Sequence, residues 1–330
     1  MTFSDPTSEA ISQAGGTGVS GPDPIVSAVE VSIVIPSYRR PELLASALAS
    51  CVAQQGVAAP FEIVVVDNDP AGSARPVVEA FAKTGAPAIR YVGESRPGIS
   101  HARNTGVANA AGRYVAFLDD DEEAEPGWLA AFLATIRRSG ADAVMGPVYP
   151  RLPAGTDDHS YGREVYTRDA GVATGTRLPR WSGIGNALLD KERCFGAAPQ
   201  PFDPRLGLSG GEDSLFLRQL TRRGRSIVWC AEAVIRETIP PEKLDPRYLL
   251  RRTFRGAQTT TFVCAAVTPA EPGRAALWMM VGCAQVAVYA PAALILRAIN
   301  HRRWLPVAAK AVGGLGKVLW HPNLHLRLYR

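Results

Sequence analysis

Asp119, Asp120, Asp121, Glu122 and Glu123 stand in a row directly after the apolar run Arg113 to Leu118, in the stretch GRYVAFLDDDEE. Like charges at that density repel one another, so the segment needs a counter-charge, either water at a free surface or a divalent cation. If strand geometry continues past Leu118, Asp119 and Asp121 project to one side and Asp120 to the other. Two carboxylates on one side suit Mg2+ or Mn2+, hard ions that take oxygen ligands and leave positions open for phosphate oxygens. A solvated acidic turn before a helix starting near Pro126 accounts for the same residues. A second acidic pair, Glu212 and Asp213 in GLSGGEDSLFLRQLTRRG, opens a helix with the apolar face Leu215, Phe216 and Leu220, where acids also stabilise the N-terminus. Between them in kind is GESRPGISHARNTGVANAAG, whose Arg96, His101, Arg103 and Asn104 either neutralise a diphosphate or form the exposed basic face of a helix beginning near Ile99.

The elements that must carry these groups alternate in type. VSIVIP, from Val31, is an apolar run of the kind buried on both faces of a sheet, and it stops at Pro36. Leu43, Leu44, Ala47, Leu48, Cys51 and Val52 then recur at helical spacing, and FEIVVVDND repeats the design of an apolar run closed by aspartate. Strand, helix and strand joined by short loops predict a parallel sheet, with ligands beyond the carboxyl ends of the strands. Ser37 to Arg40 and Asp67 to Asp69 fall there. Val77, Val78 and Phe81 mark another helix, Ile89 to Val92 a third strand, Trp128 to Ile136 an amphipathic helix and Ala143 to Tyr149 a further strand. The polar, glycine-rich stretch from Arg151 to Arg180 predicts a long mobile cover. WSGIGNALLD returns to order, with glycines that admit backbone close to a ligand. Ser226 to Ala231 is the expected last strand, and Arg247 to Gln258 a strongly basic helix.

With 46% hydrophobic and 20% charged residues, a chain of 330 can fold one large α/β domain and an appendage. The net charge is only +5, but arginine dominates after Arg247, which points to an anionic surface such as phospholipid. No basic, aromatic-interleaved motif stands out, so no nucleic-acid partner is expected. Cys51, Cys194, Cys230, Cys264 and Cys283 are widely separated and form no C-x-x-C pair, which predicts a reduced, cytoplasmic setting. MTFSDPTSEA has neither a basic n-region nor an apolar h-region, so it reads without a signal peptide, and residues 1–28 read as a flexible leader.

The pieces VSIVIPSYRRPELL, EIVVVDND, GISHARNTG, GRYVAFLDDDEEAEPGWL, SGIGN and GGEDSLFLRQLTRRG occur in an order and at spacings that resemble family 2 glycosyltransferases. The likeness covers roughly residues 31–260, and with RETIPPEKLDPRYLLRRTFRGA it is similar to bacterial exopolysaccharide transferases of the succinoglycan type. It implies the GT-A fold, a Rossmann-like, mostly parallel α/β sheet flanked by helices, over residues 29–260, with residues 261–330 as a helical, membrane-associating extension. It implies that Asp67 binds the donor's base, typically uracil, beside Pro36 and Ser37. Further nucleotide-sugar contacts would come from Arg39, Asp69, Arg96, Arg103, Asn104, Asp119 and Asp120. Asp121, with Asp119, would hold Mg2+ or Mn2+. Asp213 of the Glu212-Asp213 pair would be the general base, and Trp181, Gly185 and Asn186 would border the acceptor. Where many GT-A enzymes offer a histidine to the metal after the last strand, this chain reads Arg236-Glu237, so the resemblance supplies no third protein ligand.

The chemistry agrees with that set. Breaking a sugar-phosphate bond leaves a nucleoside diphosphate whose growing charge a divalent cation stabilises, and Arg96 and Arg103 can assist. A carboxylate such as Asp213 takes the acceptor hydroxyl's proton late, as that oxygen attacks C1. One in-line displacement inverts the anomeric centre and needs no covalent intermediate. The expectation is thus an inverting, metal-dependent transferase moving a sugar from a nucleotide-sugar donor, a UDP-hexose by the resemblance, to a lipid-linked or polysaccharide acceptor in cell-surface polysaccharide synthesis. The alternatives are a nucleotidyltransferase making sugar nucleotides, which would show a glycine-rich phosphate loop where this chain has PSYRRPELL, and a noncatalytic scaffold on the same fold.

Leu277 to Leu296 carries no charge, and a helix of that length reaches about 30 Å, enough to cross the hydrocarbon core. Arg297, Arg302, Arg303, Lys310 and Lys317 follow it and favour the same side as the catalytic domain. Both flanks inside predict a re-entrant or interfacial helix at the cytoplasmic face of the membrane, against the alternative of a buried packing helix.

Overall fold

Val31–Ser37 (β1) is buried at every position, because its two faces meet different layers. Val31, Ile33 and Ile35 enter one apolar cluster and Val34 the opposite one. The structure is a computed structural model that describes residues 29–83, 85, 87–157, 160–181, 183–321 and 324. The expected leader, residues 1–28, lies outside the described residues.

Pro41–Val52 (α1) follows, with proline in its first turn where no backbone donor is lost. Phe61–Asp67 (β2), Arg75–Ala82 (α2), Ala88–Gly93 (β3), Ile99–Asn109 (α3) and Tyr114–Phe117 (β4) complete the first half. After Glu122–Ala124 (β5) come Trp128–Ser139 (α4), Ala143–Met145 (β6), Val148–Arg151 (β7) and Tyr161–Tyr166 (α5). Ala187–Asp190 (β8), Lys191–Phe195 (α6), Glu212–Arg222 (α7), Ile227–Trp229 (β9) and Ile235–Thr238 (β10) follow. Three helices end the chain, Pro246–Ala266 (α8), Pro272–Ala298 (α9) and Trp304–Val318 (α10).

A seven-stranded sheet runs β3-β2-β1-β4-β8-β6-β9. Its pairs are parallel except where β8 lies between β4 and β6. The chain winds outward from β1 to β3 and then returns to set β4 on the other side of β1. β1 and β4 are thus neighbouring parallel strands where the strand order reverses, and open α/β sheets form their crevice beyond the carboxyl ends of such strands. α1, α2 and α4 cover one face through Leu44, Val78 and Trp128, and α3, α6 and α7 cover the other through Ala102, Phe195 and Phe216.

The structure departs from the expected elements at four places. The strand expected over 143–149 is two, because Gly146 and Pro147 break it and β7 joins a second, three-stranded sheet, β5-β10-β7. Ser226 to Ala231 does not hold the last strand, since β10 follows and carries Arg236 and Glu237. The 151–180 stretch is not a mobile cover throughout its described residues: Tyr166 of α5 is buried, and Arg168 pairs with Val148 as an isolated bridge. The basic helix extends well beyond Gln258, to Ala266.

α9 is long and apolar enough to cross a membrane, by length and composition, and only 11% of its apolar window is buried. Met280, Val288 and Leu294 are among its exposed side chains. α10 packs on it where Gly282 and Gly314 let the two backbones approach.

Candidate active site

Strand geometry ends at Phe117, and the acidic run turns, with Glu122 N–H donating to the Asp119 carbonyl at 3.1 Å. Asp119 and Asp121 consequently do not share a side, contrary to the alternation expected from a continued strand. Asp119 follows the face of Val115 and Phe117, and its Oδ1 meets Arg103 of α3 at 3.2 Å. Asp120 turns to the loop after β1, where Ser37 Oγ donates at 3.0 Å, Tyr38 N–H at 3.3 Å and Arg40 Nη1 at 3.1 Å. Asp121 joins it there: Arg40 Nη1 lies 3.0 Å and Lys243 Nζ 3.3 Å from its Oδ2. Among the described residues the acidic run is balanced by arginine and lysine.

These groups line one cavity of about 890 Å³. Its floor is Pro36, Ser37, Tyr38 and Asn68, and one wall holds Arg103 with Asp119 to Asp121. Trp181, Gly185, Glu212 and Asp213 line it as well. α8 and the start of α9 close it with Tyr248, Arg252, Arg255, Arg274 and Trp278.

Asp213 sits at the start of α7, behind Gly211, whose φ of 94° is the left-handed conformation that glycine adopts without strain. Ser214 N–H donates to Asp213 Oδ1 at 2.6 Å. Glu212 points inward, 4% exposed, and its Oε1 accepts from Arg103 Nη1 at 2.5 Å. Burial, and then the charge of Asp213, push the Glu212 carboxyl up to about 7, with Arg103 pulling it back. Burial likewise raises Asp120 to about 6 against the pull of Arg40.

Gly185 is required by close approach. A Cβ there would lie 3.0 Å from Asp119 Oδ2 and 2.9 Å from Glu122 Oε2. Beneath it Arg168 Nη2 donates to Glu122 Oε1 at 2.8 Å and lies 3.5 Å from Glu237 Oε2. Burial raises both Glu122 and Glu237, and Arg168 opposes it.

The other residues singled out from the sequence stand around the cavity without lining it. Asp67 is buried, with Oδ1 accepting from Asp69 N–H and Oδ2 from Ala74 N–H and the Tyr91 hydroxyl. The cavity position falls to Asn68, which is itself tied to the carbonyls of Glu94 and Arg96. Arg39 pairs with Asp69, and Arg96 with Glu94. Asn104 exchanges two hydrogen bonds with the backbone of Phe202. Asn186 accepts from Trp128 Nε1 and donates to the carbonyls of Pro147 and Ala233. Sequence reasoning missed Lys243, Arg168 and Glu122 as parts of the site, and nothing local in PPEKLDP distinguishes that lysine from any surface lysine.

Among the described residues no group of three His, Cys, Asp or Glu side chains is placed to hold a metal ion. Mg2+ and Mn2+ do not require such a cage when one or two carboxylates share them with substrate phosphates. Asp119 and Asp121, oxygen donors on one cavity, fit a cation that arrives with its phosphates.

Residues 32–196, half of the chain, match the family described as "Glycosyl transferase family 2". The chain belongs to that family. As a family 2 glycosyltransferase it is 33% identical to "Succinoglycan biosynthesis protein ExoM" of Rhizobium meliloti (strain 1021), over 70% of this chain and 74% of the relative. It is 30% identical to "Glycosyltransferase AglE" of Haloferax volcanii, over 38% of this chain and 41% of that one. Among solved structures it is similar to the mannosyltransferase PcManGT from Pyrobaculum calidifontis, solved with GDP-Man and Mn2+. There the TM-score is 0.57 and the identity 20%, covering 91% of this chain and 89% of the other. S. aureus TarS is similar with a TM-score of 0.51 and 16% identity, over 74% and 41% of the two chains. At such identities these two likenesses establish the GT-A fold and nothing finer. Family membership makes this protein a glycosyltransferase, and the nucleotidyltransferase alternative falls with it.

Proposed function

We propose that this glycosyltransferase is inverting and metal-dependent, and that it moves a hexose from a UDP-sugar to a lipid-linked or polysaccharide acceptor in cell-surface polysaccharide synthesis. The observation that carries the reading is that Asp213 and the Asp119 to Asp121 turn line one cavity and are linked through Arg103, which reaches both Asp119 and Glu212. An inverting transfer needs a base on one side of C1 and a cation-assisted diphosphate on the other.

The base lies on the Pro36 to Tyr38 and Asn68 floor, and the diphosphate extends toward Asp119 and Asp121. These two carboxylates would hold Mg2+ or Mn2+, which supplies Lewis-acid stabilisation of the departing charge. Arg103, rigid between Asp119 and Glu212, orients the acid wall. Ser214 occupies Asp213 Oδ1, so Asp213 Oδ2 takes the acceptor proton as the hydroxyl oxygen bonds to C1. Trp181 gives the acceptor ring an apolar face, and the α5 segment with α8 narrows access to water.

The start of α9 belongs to the cavity wall, while its remaining apolar face is exposed. An acceptor anchored in a membrane would therefore reach Asp213 from the side where this helix lies. Cytoplasmic nucleotide sugar places the protein on the cytoplasmic face, with α9 and α10 lying in that interface. Support for the biosynthetic context comes from the succinoglycan relative.

Calorimetric titration with UDP, GDP, CDP and ADP, each with and without Mn2+, tests the reading. Metal-dependent binding of UDP is the expected result. Binding of none would overturn the UDP-donor and metal parts of this reading.

A further inference from the structure

Asp121, one of the two carboxylates proposed above to hold the metal, already carries two cations on one oxygen, Arg40 Nη1 at 3.0 Å and Lys243 Nζ at 3.3 Å. The two are not equivalent. Arg40 also holds Asp120 Oδ1 at 3.1 Å, so it keeps a carboxylate if Asp121 changes partner. Among the described residues Asp121 is the one carboxylate that Lys243 bonds.

Lys243 is also held by its backbone. It lies in the short 3-10 helix Pro241–Leu244, which follows β10 directly. The Tyr166 hydroxyl donates to the Lys243 carbonyl at 3.1 Å, and Leu244 packs with Tyr166 and Leu249 in one apolar cluster. On the other side Thr238 N–H donates to the Asp121 carbonyl at 2.8 Å. The main chain of Asp121 is thus tied to β10 and that of Lys243 to Pro240 and Tyr166, while the lysine side chain, 18% exposed, lines the cavity. A flexible stem on a fixed base can exchange partners without moving the fold.

Resting on the donor reading above, we infer that Lys243 is a leaving-group cation: when a metal ion takes Asp121, the Lys243 ammonium passes to the donor's diphosphate. In the transfer the C1–O bond to the β-phosphate breaks and its electron pair stays on that phosphate oxygen. The acceptor oxygen bonds to C1, and its proton goes to Asp213. Negative charge grows on the β-phosphate, and an ammonium preplaced there stabilises it. Where many GT-A enzymes offer a histidine to the metal, this chain reads Arg236-Glu237, so a second cation at the diphosphate has a defined task.

Two opposite effects follow from one substitution. Lys243→Met keeps the stem and removes the charge. It is expected to weaken Mn2+-dependent binding of UDP by about tenfold, the size of a charge-assisted hydrogen bond. UMP, which lacks the β-phosphate, changes by less than about twofold on the same scale. Mn2+ titrated alone, read by water-proton relaxation, binds more tightly, because its competitor for Asp121 is gone. Lys243→Arg restores most of the UDP affinity, and unchanged circular dichroism establishes that both variants fold. Equal loss of UDP and UMP, or unchanged UDP affinity, would overturn the role of Lys243 while the donor reading stands. A parent protein that binds no nucleoside diphosphate removes both.

Discussion

Arg103 and Glu212 form a buried ion pair of 2.5 Å, and the same guanidinium reaches Asp119 at 3.2 Å. This one side chain, from α3, joins the acidic turn after β4 to the start of α7. Above about pH 7, where Glu212 is ionised, removing Arg103 leaves that carboxylate buried without its counter-charge, at a cost of about 3–5 kcal/mol. Arg103→Met is therefore expected to lose that much stability in urea unfolding. Arg103→Met combined with Glu212→Gln should recover at least about 1 kcal/mol of it, because the pair acts as a unit. Strictly additive losses would contradict the coupling.

Glu212 also sets a pH dependence. Its carboxyl is raised from 4.5 to about 7, so between those values the folded protein holds a proton that the unfolded chain has released. The native state binding more protons means that stability falls as pH rises through this window. Glu212→Gln lacks the effect. The melting temperature of the variant relative to the parent should climb from pH 4.5 to about 7 and then level. The shift corresponds to about 3 kcal/mol. A flat difference across the window would exclude the raised carboxyl.

Turnover and donor binding should separate between the two acidic sites. Asp213→Asn is expected to lose at least about 100-fold in kcat, the lower range for a general base, with UDP affinity nearly unchanged. Asp121→Ala should instead weaken UDP binding in Mn2+ while leaving the weaker metal-free binding intact. Full activity in Asp213→Asn would assign the base elsewhere.

Gly185→Ala introduces a methyl 3.0 Å from Asp119 Oδ2. Asp119 must withdraw toward Arg103, and kcat/KM should fall by about tenfold, or roughly 1.4 kcal/mol in the transition state. Far-ultraviolet circular dichroism and the melting temperature should change little, since the displaced atoms are side-chain tips. A large melting-temperature loss with normal kcat/KM in the surviving fraction would mean that the contact is structural.

Met280 and Leu294 are 63% and 72% exposed on α9. Replacing both with aspartate is expected to reduce co-sedimentation with anionic phospholipid vesicles by at least about tenfold, because charged side chains are costly in the acyl region. Equal sedimentation of parent and variant would argue that the helix meets something other than lipid.

The groups at the ends of β1, β2 and β4 were legible in the linear chain because an apolar run closed by aspartate is a local pattern. It places Ser37, Asp67 and Asp119 to Asp121 at one end of a parallel sheet before any contact is known. The order of β6, β7 and β10 was not legible. β6 and β7 are three and four residues long and belong to different sheets, and β10 pairs with both β5 and β7, which lie far from it in the chain.

Composition and pattern alone specify β1 to β4, the amphipathic helices α1 and α4, and the apolar length of α9, since each depends on neighbours within a few residues. Which charge meets which is a different matter. Ser37 and Asp120 are 83 residues apart, Arg103 and Glu212 are 109, and Asp121 and Lys243 are 122. Such partners are chosen by how the sheet winds outward from β1, returns at β4 and receives β10, and the turn from Asp119 to Glu122 decides which carboxylate each cation reaches. Ion pairing acts over a few ångströms in space and carries no memory of chain distance, so only the folded arrangement selects the pairs.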